Sequence, residues 1–510
     1  IAENYSTPTE NHHPMETHAS IANWKNGKLV VYDATQAIKG SQAYLASSFG
    51  LKIEDVRLMS PFVGGGFGCK GLIWQNPTLA AMAAQVVKRP VKIVLTRQMM
   101  QTNTGRRGET IQKVSLSASN DGKLTAIKHE NDTYTNLIDF FEPSGLTTRL
   151  LYACPNIEIT HNVAKLNIGT PTPMRAPGES PGMFALESAM DELAHELKID
   201  PIKLRLTNYA EVEPQKNLAW SIKNLKECYS VGAEKFGWSK RSLKPRQMRD
   251  GRFLVGYGMA TATYPAYRQT ASARVRVNSD GSVMVMSATQ DIGTGTYTVL
   301  AQVAADALNV DVKRVKVELG DSNLPAAPTS GGSQSVASVA PAVQAACERL
   351  KQRISELSKK VESSNAGYEE VLKANNLSSI EECATTSPEG QPSKAPCSPY
   401  KTDAEQNADQ QKYSFHSFGA QFAEVRVDED LGTIRVSRFT SVHDIGRVLN
   451  AKTSRSQIYS GVIMGIGAAL MEETLYDSRN ARPVTRTLAD YHIPVNLDVP
   501  TIDVHLLNIP

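Results

Sequence analysis

The sequence has 510 residues, of which 41% are hydrophobic and 21% are charged, and its formal net charge is +3. These proportions are ordinary for a soluble globular protein. From its length alone, the chain is expected to contain about three domain-sized units. The small charge and the lack of a long basic run argue against a nucleic-acid partner. The longest apolar stretches, such as residues 462–470, are far too short for a bilayer, so no membrane span is expected.

The first residue is Ile1 and no signal peptide follows, so a fragment or a processed product is expected, and the compartment stays open between cytoplasm and periplasm. Six cysteines are scattered without a C-x-x-C pair, which supports neither a zinc ribbon nor an iron–sulfur cluster. Reduced thiols are the favoured state. A bridge between Cys383 and Cys397 is the alternative.

Three histidines and two carboxylates lie within nine residues near the start, namely Glu10, His12, His13, Glu16 and His18. Such a set could hold a metal ion. However, adjacent His12 and His13 cannot share one face of a strand, because successive side chains alternate between faces. Loop histidines are therefore the preferred interpretation, and metal ligation is the alternative.

Turn residues and hydrophobic periodicity predict the next elements. In chain order they are a turn at Asn26-Gly27 with a strand at 28–32, a buried helix at 77–87 with Asn76 as its N-cap, a strand at 91–95, and a hairpin through Asn120-Asp121-Gly122.

Residues 61–70 form a glycine-rich turn, Pro-Phe-Val-Gly-Gly-Gly-Phe-Gly-Cys-Lys. Glycine lets the backbone approach a ligand closely, although a plain strand-to-helix turn is equally possible. The turn is not a Walker loop, because no Gly-Lys-Ser/Thr follows. Gly66, Gly68 and Gly71 match the dinucleotide fingerprint, but no acidic residue occurs between Gly71 and Glu109 to hold a ribose. Nicotinamide binding is therefore excluded.

Residues 169–182 contain four prolines and three glycines, which predict a stiff, irregular loop in front of an amphipathic helix that starts at Ser180-Pro181. A second helix, capped by Asp200-Pro201, is predicted to follow. Arg175 lies in the middle of the loop. It could be a structural pin that hydrogen-bonds carbonyls or an anion-facing group, and the lack of nearby charge partners in the sequence favours the anion-facing group.

A polar, basic stretch at 239–252 is interpreted as a linker to a second half. That half has two loops of small and hydroxyl-bearing residues, at 290–296 and 329–335, each in front of a predicted helix. Free backbone N–H groups and the dipole at a helix N-terminus favour an anion. Several such loops, together with the arginine-bearing loop, indicate a large phosphorylated ligand.

The remaining predicted elements are taken from composition and periodicity. They are a hairpin through Ser279-Asp280-Gly281, a polar surface insertion at about 358–412, strands at 415–427, 434–440 and 502–507, and a helix at 457–470 whose Gly461, Gly465 and Gly467 are spaced for close approach of another backbone.

In this order and spacing, the segments resemble the molybdenum-binding subunit of the xanthine dehydrogenase and aldehyde oxidoreductase family, from His13-Pro14-Met15-Glu16 to Gln457 and beyond. The segment Met-Arg-Ala-Pro-Gly-Glu at residues 174–179 is most similar to the corresponding segment of bacterial aldehyde-oxidising members. The resemblance implies an α+β fold: an elongated, two-part molybdopterin-binding domain of mixed sheets and helices. The cofactor would lie at the interface of halves 1–238 and 253–510.

The resemblance also implies roles for single residues. Phe67 and Gly68, with Gly66 beside them, match the loop over the apical oxo group of the metal. Arg175 matches the active-site arginine, which could stabilise negative charge on the substrate oxygen. The other cofactor-binding positions are Ile292, Gly293, Thr294 and Gly295 for the pterin, Gly332, Ser333 and Ser335 for the dithiolene and phosphate, and Gln457 for a further contact. No side chain is expected to ligate the metal.

The implied activity is oxidative hydroxylation of aldehydes to carboxylic acids with water, using molybdopterin in its cytosine dinucleotide form. Electrons would pass to separate 2Fe–2S iron–sulfur and FAD subunits in a heterotrimer. Gly71, where purine-oxidising members carry an acid, argues against xanthine, and Ala176 and Pro177 offer no cysteine of the carbon monoxide dehydrogenase type.

The resemblance raises one further expectation, which concerns the two ends of the chain. The family's general base is a glutamate in a Gly-x-Lys-Gly-x-Gly-Glu segment, and that segment is expected beyond Pro510. A small domain that normally comes first is also lacking, so truncation at both ends is expected. The alternatives to an aldehyde-oxidising enzyme are a hydroxylase of aromatic N-heterocycles and an inactive fragment.

Overall fold

The structure, a computed structural model, describes residues 1–136, 140–359, 367–394, 397–399 and 408–509. The chain forms two units, each assembled from stretches that are distant in sequence. The first unit contains Ile1–His12, Arg97–Pro265 and Gln410–Pro510, and the second contains His13–Thr96 and Ala266–Asp409. The stretch 239–252 therefore lies inside the first unit. The cofactor-binding halves 1–238 and 253–510 are a different division and stay a prediction.

The helices of the described residues are α1 (Ile38–Ser48), α2 (Gln75–Val87), α3 (Arg97–Asn103), α4 (Glu179–Leu197), α5 (Pro201–Thr207), α6 (Leu225–Phe236), α7 (Thr296–Leu308), α8 (Ser335–Ser358), α9 (Tyr368–Ala374) and α10 (Ala451–Leu470). The predicted cap of α5 is confirmed, because the Asp200 carboxylate accepts from the backbone N–H of Ile202 at 2.8 Å. The predicted cap of α2 is wrong. The Asn76 side chain instead donates to the Ser20 hydroxyl at 2.7 Å, and only one face of α2 is buried.

The strands are β1 (Ala2–Thr7), β2 (Ala19–Lys25), β3 (Lys28–Asp33), β4 (Val56–Met59), β5 (Val91–Val94), β6 (Thr110–Ala118), β7 (Leu124–Thr135), β8 (Ile157–Lys165), β9 (Val212–Glu213), β10 (Leu218–Trp220), β11 (Arg249–Asp250), β12 (Phe253–Pro265), β13 (Ala271–Asn278), β14 (Val283–Ser287), β15 (Val315–Leu319), β16 (Ser379–Thr386), β17 (Tyr413–Ser414), β18 (His416–Asp428), β19 (Thr433–Asp444), β20 (Tyr476–Asp477), β21 (Arg482–Pro483) and β22 (Thr501–Leu506). The three predicted hairpins are confirmed as the antiparallel pairs β2–β3, β6–β7 and β13–β14.

The first unit contains two larger sheets, with strand orders β1-β6-β7-β8 and β11-β12-β18-β19-β22. Helices α4 and α6 contribute to the hydrophobic core that covers these sheets. The predicted stripe of α4 buries Leu186, Met190 and Leu193, whereas Phe184 remains 47% exposed. Because the arginine-bearing loop leads directly into α4, burial of this stripe fixes the end of the loop.

The second unit contains two four-stranded sheets, β4-β3-β2-β5 and β15-β14-β13-β16, each with its own core. The ends of β4 and β15 meet, since Ser60 N–H donates to the Gly320 carbonyl at 2.6 Å and Ser322 N–H donates to the Leu58 carbonyl at 2.9 Å. The glycine turn begins where β4 ends. The sheets therefore place the turn beside the loops that follow β14 and β15.

The mixed sheets and helices confirm the predicted α+β fold class. The expected polar insertion is in part regular structure, because β16 pairs with β13 and α9 packs on α8; residues 360–366, 395–396 and 400–407 of that insertion lie outside the described residues. Cys383 and Cys397 form a disulfide, so the prediction of reduced thiols is wrong for this pair. No helix among the described residues is long and apolar enough to cross a membrane.

Candidate functional site

The glycine turn at 61–70 has a strained backbone that is held by an ion pair between a buried lysine and a partly exposed glutamate. Phe67 has φ 56° and Gly68 has φ 114°. A bulky residue in this region costs of order 1–3 kcal/mol and persists only when its surroundings enforce it. Here the Glu16 carboxylate accepts from the Gly64 N–H at 2.8 Å and from Lys70 Nζ at 2.6 Å, and Lys70 is fully buried. One side chain thus holds the turn on both sides of Phe67.

Gln36 connects this turn to the loop at 329–335. Its side-chain oxygen accepts from the Gly68 N–H at 3.0 Å, and its amide nitrogen donates to the Ser330 carbonyl at 2.7 Å. Gln36 is 3% exposed. Gly66 is required here because a Cβ at this position would lie 2.4 Å from the Gln36 oxygen. No short-range pattern indicates the role of Gln36, since its partners are 32 and 294 positions away.

We expect Gln36→Ala to lower the free energy of unfolding by about 2–4 kcal/mol, because it leaves the partly buried Gly68 N–H and the buried Ser330 carbonyl without their side-chain partner. Urea unfolding measures this loss. Gln334→Ala is the matched control, since the Gln334 amide makes an exposed bond to the Thr329 carbonyl in the same loop. Its loss should be below about 1 kcal/mol. Equal losses in the two variants would refute the connecting role.

The loop at 290–296 is organised by Asp291, which the sequence interpretation overlooked. One carboxylate oxygen accepts from the backbone N–H groups of Gly293 at 2.8 Å, Thr294 at 3.0 Å and Gly295 at 3.3 Å, and the other accepts from Tyr297 N–H at 3.3 Å. The expectation of free N–H groups for an anion is therefore wrong for these groups. An aspartate before a glycine-rich helix start is a known capping signal and could have predicted this arrangement.

Asp291→Ala should lower the free energy of unfolding by about 1–2 kcal/mol, the usual effect of losing a helix cap. In Asp291→Asn the remaining oxygen can still accept from the three N–H groups that Oδ1 binds, so this control should lose less than half as much. Thermal unfolding of both variants at one pH provides the comparison. An Asn variant as damaged as the Ala variant would mean that charge, rather than acceptor geometry, holds the loop.

The loop at 329–335 leads into α8, which, like α7, starts without a hydrogen bond from its own N-cap side chain. Gly332 has φ 63° and Ser333 has φ 57°, so two successive residues are left-handed before the helix begins at Ser335. An α-helix leaves its first four N–H groups without intrahelical partners. The start of α8, with hydroxyls at 333 and 335, therefore has the donors that a phosphate group requires.

The three loops of the second unit are joined to one another. Val63 N–H donates to the Asp291 carbonyl at 3.3 Å, and the Tyr297 hydroxyl donates to the Pro61 carbonyl at 2.7 Å. The Ser330 hydroxyl donates to the Gln290 carbonyl at 3.1 Å. The structure therefore brings together the predicted cofactor-binding residues of this unit, which are Gly66, Phe67, Gly68, Ile292, Gly293, Thr294, Gly295, Gly332, Ser333 and Ser335. A Cβ added at Gly293 would meet nothing within 4 Å, so this loop borders open space.

Arg175 and Gln457 lie in the first unit and are in direct contact. The Arg175 guanidinium donates to the Gln457 carbonyl at 2.6 Å and to the Ser460 hydroxyl at 2.8 Å. Burial lowers the pKa of Arg175, and no carboxylate of the described residues offsets that effect. The contact with the Gln457 carbonyl agrees with the structural alternative, in which Arg175 hydrogen-bonds carbonyls. The uncompensated charge is that of an anion-facing group, because a buried cation normally has an acidic partner.

The prediction that the glycines of α10 allow another backbone to approach closely is wrong. A Cβ at Gly461 would lie 3.7 Å from the Arg175 guanidinium, and one at Gly467 would lie 2.0 Å from the Glu472 carboxylate. Gly465 would meet nothing within 4 Å. Side chains, rather than another backbone, approach this helix at Gly461, whereas Gly467 also faces Pro494.

The histidine segment shows no metal-ligand geometry. Both ring nitrogens of His12 face backbone carbonyls, with Nδ1 3.2 Å from Gly105 O and Nε2 3.0 Å from Pro173 O. Burial lowers the pKa of His12 to about 4. Glu10 pairs with Arg107, and Glu16 pairs with Lys70. Across the described part of the chain, no group of three His, Cys, Asp or Glu residues is arranged to hold an ion.

Comparison with known proteins identifies the class of protein to which this chain belongs. Two family models, both described as molybdopterin cofactor-binding domain, match residues 1–209 and 231–500. The chain belongs to the xanthine dehydrogenase and aldehyde oxidoreductase family of molybdopterin-binding subunits, as the resemblance predicted.

The chain is 37% identical over 514 residues to the aldehyde oxidoreductase molybdenum-binding subunit PaoC of Escherichia coli (strain K12), an alignment that covers 100% of this chain and 68% of the relative. It is 27% identical over 534 residues to the xanthine dehydrogenase molybdenum-binding subunit of Escherichia coli O157:H7, covering 99% and 69%.

Two solved structures have the same fold. Quinoline 2-oxidoreductase from Pseudomonas putida 86 has a TM-score of 0.85 at 22% identity and covers 100% of this chain and 69% of that one. The aldehyde oxidoreductase from Desulfovibrio gigas has a TM-score of 0.82 at 23% identity and covers 100% and 56%.

Proposed function

We propose that this chain is the molybdopterin-binding subunit of an enzyme that oxidises aldehydes to carboxylic acids. The observation that carries the proposal is the joining of three separate loops in the second unit by Gln36, Ser330 and Tyr297. When bound, the molybdenum–pterin group supplies the two-electron oxidation, in which an aldehyde and water yield a carboxylic acid, two electrons and two protons. The protein binds and orients the cofactor and the substrate, and it polarises the substrate.

The residues present fit such a group. The uncapped start of α8 offers N–H groups and the Ser333 and Ser335 hydroxyls to its phosphate. The loop at 290–296 is already capped by Asp291, so its backbone is rigid before any ligand arrives. We assign Gly332, Ser333 and Ser335 to the phosphate end, Ile292 to Gly295 to the pterin and Gln457 to a further contact. The cytosine dinucleotide form is part of this proposal.

Arg175 is proposed as the residue that acts on the substrate. Its partly buried guanidinium has no carboxylate partner among the described residues, so its charge is available to stabilise negative charge that develops on the substrate oxygen. Phe67, held at φ 56°, and its neighbours Gly66 and Gly68 are proposed to form a wall of the metal site. No Gly-x-Lys-Gly-x-Gly-Glu segment occurs in residues 1–510, so none of these residues is assigned as the general base.

The substrate class and the partners are inferred from similarity and from departures within the motifs. The PaoC name supports an aldehyde, and the glycine at 71 supports a substrate other than a purine. PaoC is itself named as a subunit, which supports a multi-subunit complex. We propose a 2Fe–2S subunit and an FAD subunit as the electron acceptors.

Elemental analysis and a substrate panel test the proposal. The full-length chain, purified with its complex from cells competent in cofactor synthesis, should contain molybdenum and a pterin of dinucleotide mass. With a dye acceptor, it should oxidise aromatic or aliphatic aldehydes faster than quinoline. A metal-free complex would refute the proposal. Turnover of quinoline without turnover of aldehydes would replace it by hydroxylation of aromatic N-heterocycles.

A further inference from the structure

Arg107 is a buried cation that lies behind the arginine-bearing loop. It is 3% exposed and forms two ion pairs, from Nε to Glu10 at 3.0 Å and from Nη1 to Glu142 at 3.0 Å. Its backbone is also fixed, because Arg107 and Glu10 exchange two N–H···O bonds of 2.9 Å and 3.2 Å. The guanidinium is thus oriented from one side by two carboxylates.

The other side of the same guanidinium contacts the loop around Arg175. Its Nη2 donates to the Arg175 carbonyl at 2.7 Å and reaches the Met174 carbonyl at 3.4 Å, while Nη1 reaches the Ala176 carbonyl at 3.4 Å. Arg107 therefore serves three consecutive carbonyls. These carbonyls lie in an irregular, proline-rich loop, where buried backbone groups depend on side chains for partners.

Glu142 also binds this loop and helps to fix its conformation. The carboxylate oxygen that pairs with Arg107 also accepts from the Gly178 N–H at 2.6 Å. Gly178 has φ 83° and Ala176 has φ 55°, so the loop has two left-handed residues between Arg175 and α4. Glycine adopts such a conformation readily, whereas Ala176 keeps it only when its surroundings enforce it. The pair of Arg107 and Glu142 supplies that enforcement on both sides of Ala176.

We propose that Arg107, together with Glu142, is the positioning residue for Arg175. The pair fixes the backbone of 174–178 so that the Arg175 side chain points to α10, where it contacts Gln457 and Ser460. This assignment rests on the proposed function, in which Arg175 faces the reacting substrate. The planar fork of arginine is required, because lysine has a single charged nitrogen and cannot serve two carboxylates and three carbonyls together.

Arg107→Lys tests the proposal, with Arg205→Lys as the matched control. Arg205 is also fully buried and also forms two ion pairs, with Glu187 at 2.8 Å and Asp191 at 2.7 Å, but it contacts no carbonyl of the loop. Both variants are made in the intact complex and compared by thermal unfolding, hydrogen–deuterium exchange and steady-state kinetics with an aldehyde.

We expect both variants to unfold at lower temperature, but only Arg107→Lys to raise amide exchange selectively at 174–178. Turnover (kcat) of Arg107→Lys should fall by about 10²-fold with KM little changed, as expected for a misplaced catalytic group. Glu142→Gln, which keeps an acceptor for the Gly178 N–H, should show a smaller change of the same kind. It also keeps the proposal testable if Arg107→Lys does not fold.

Equal exchange at 174–178 and equal turnover in the Arg107 and Arg205 variants would overturn the proposal, since both arginines would then be merely structural. A parallel Arg175→Ala variant separates this failure from that of the proposed function. If Arg175→Ala loses turnover while Arg107→Lys keeps it, the positioning role is wrong and the proposed function stands. If Arg175→Ala keeps full turnover, the role of Arg175 in the proposed function fails instead.

Discussion

Arg175→Ala should retain the molybdopterin group and lose about 10²- to 10³-fold in turnover, the usual effect of removing a preorganised group that stabilises developing charge. The reason is the environment of the side chain. Burial lowers the pKa of the guanidinium, and no carboxylate offsets that effect among the described residues, so its positive charge is directed toward a partner that the chain itself does not provide. Molybdenum content and steady-state oxidation of an aldehyde with a dye acceptor measure the two quantities separately.

Ser460→Ala is the matched control for this prediction. It removes the hydroxyl that accepts from Arg175 Nη1 at 2.8 Å and keeps the charge, while the bond to the Gln457 carbonyl at 2.6 Å still holds the guanidinium. Its turnover should fall by only about 10-fold, which corresponds to about 1.5 kcal/mol, the lower end of the net value of one hydrogen bond to a charged group. Unchanged turnover in Arg175→Ala would remove Arg175 from the mechanism, and loss of molybdenum would make it a structural residue.

Short-range patterns in the sequence predicted much of the fold. The hairpins at Asn26-Gly27 and at 120–122 follow from turn residues between alternating strands, and the Asp200 cap follows from a carboxylate two residues before the N–H that it binds. The loops of the site were also predicted, because glycine and proline clusters mark irregular backbone wherever they occur.

Interactions between distant positions could not be predicted in this way. Gln36, Arg107 and Glu142 each have an ordinary local context, and their roles arise only when the fold brings loops together, for example across the 68 positions between Arg107 and Arg175. For Asn76, in contrast, the local context led to a wrong prediction. Its local context predicts a cap, but the nearby hydroxyl of Ser20 binds its side chain instead. A tertiary contact therefore overrode local preference at Asn76, whereas the roles of Gln36, Arg107 and Glu142 arise from tertiary contacts alone.

Gly182→Ala should lower the free energy of unfolding by about 3 kcal/mol or more, a large effect for the addition of one methyl group. Gly182 lies in the first turns of α4 and is buried. A Cβ at this position would lie 1.9 Å from the Ser144 carbonyl oxygen and 2.9 Å from its carbonyl carbon. Backbone atoms cannot move aside as a flexible side chain can. The start of α4 would therefore be displaced, and with it the loop that carries Arg175.

Gly465→Ala isolates this steric effect from the general effect of alanine in a helix. Gly465 lies in α10 of the same unit, and a Cβ there would meet nothing within 4 Å. Alanine is favoured over glycine in a helix interior by about 1 kcal/mol, so this variant should be more stable than the wild type. Urea unfolding at one pH should give shifts of opposite sign for the two variants. A Gly182→Ala variant as stable as Gly465→Ala would show that α4 can move away from Ser144, and the Arg175 loop would then be less rigidly held than its contacts imply.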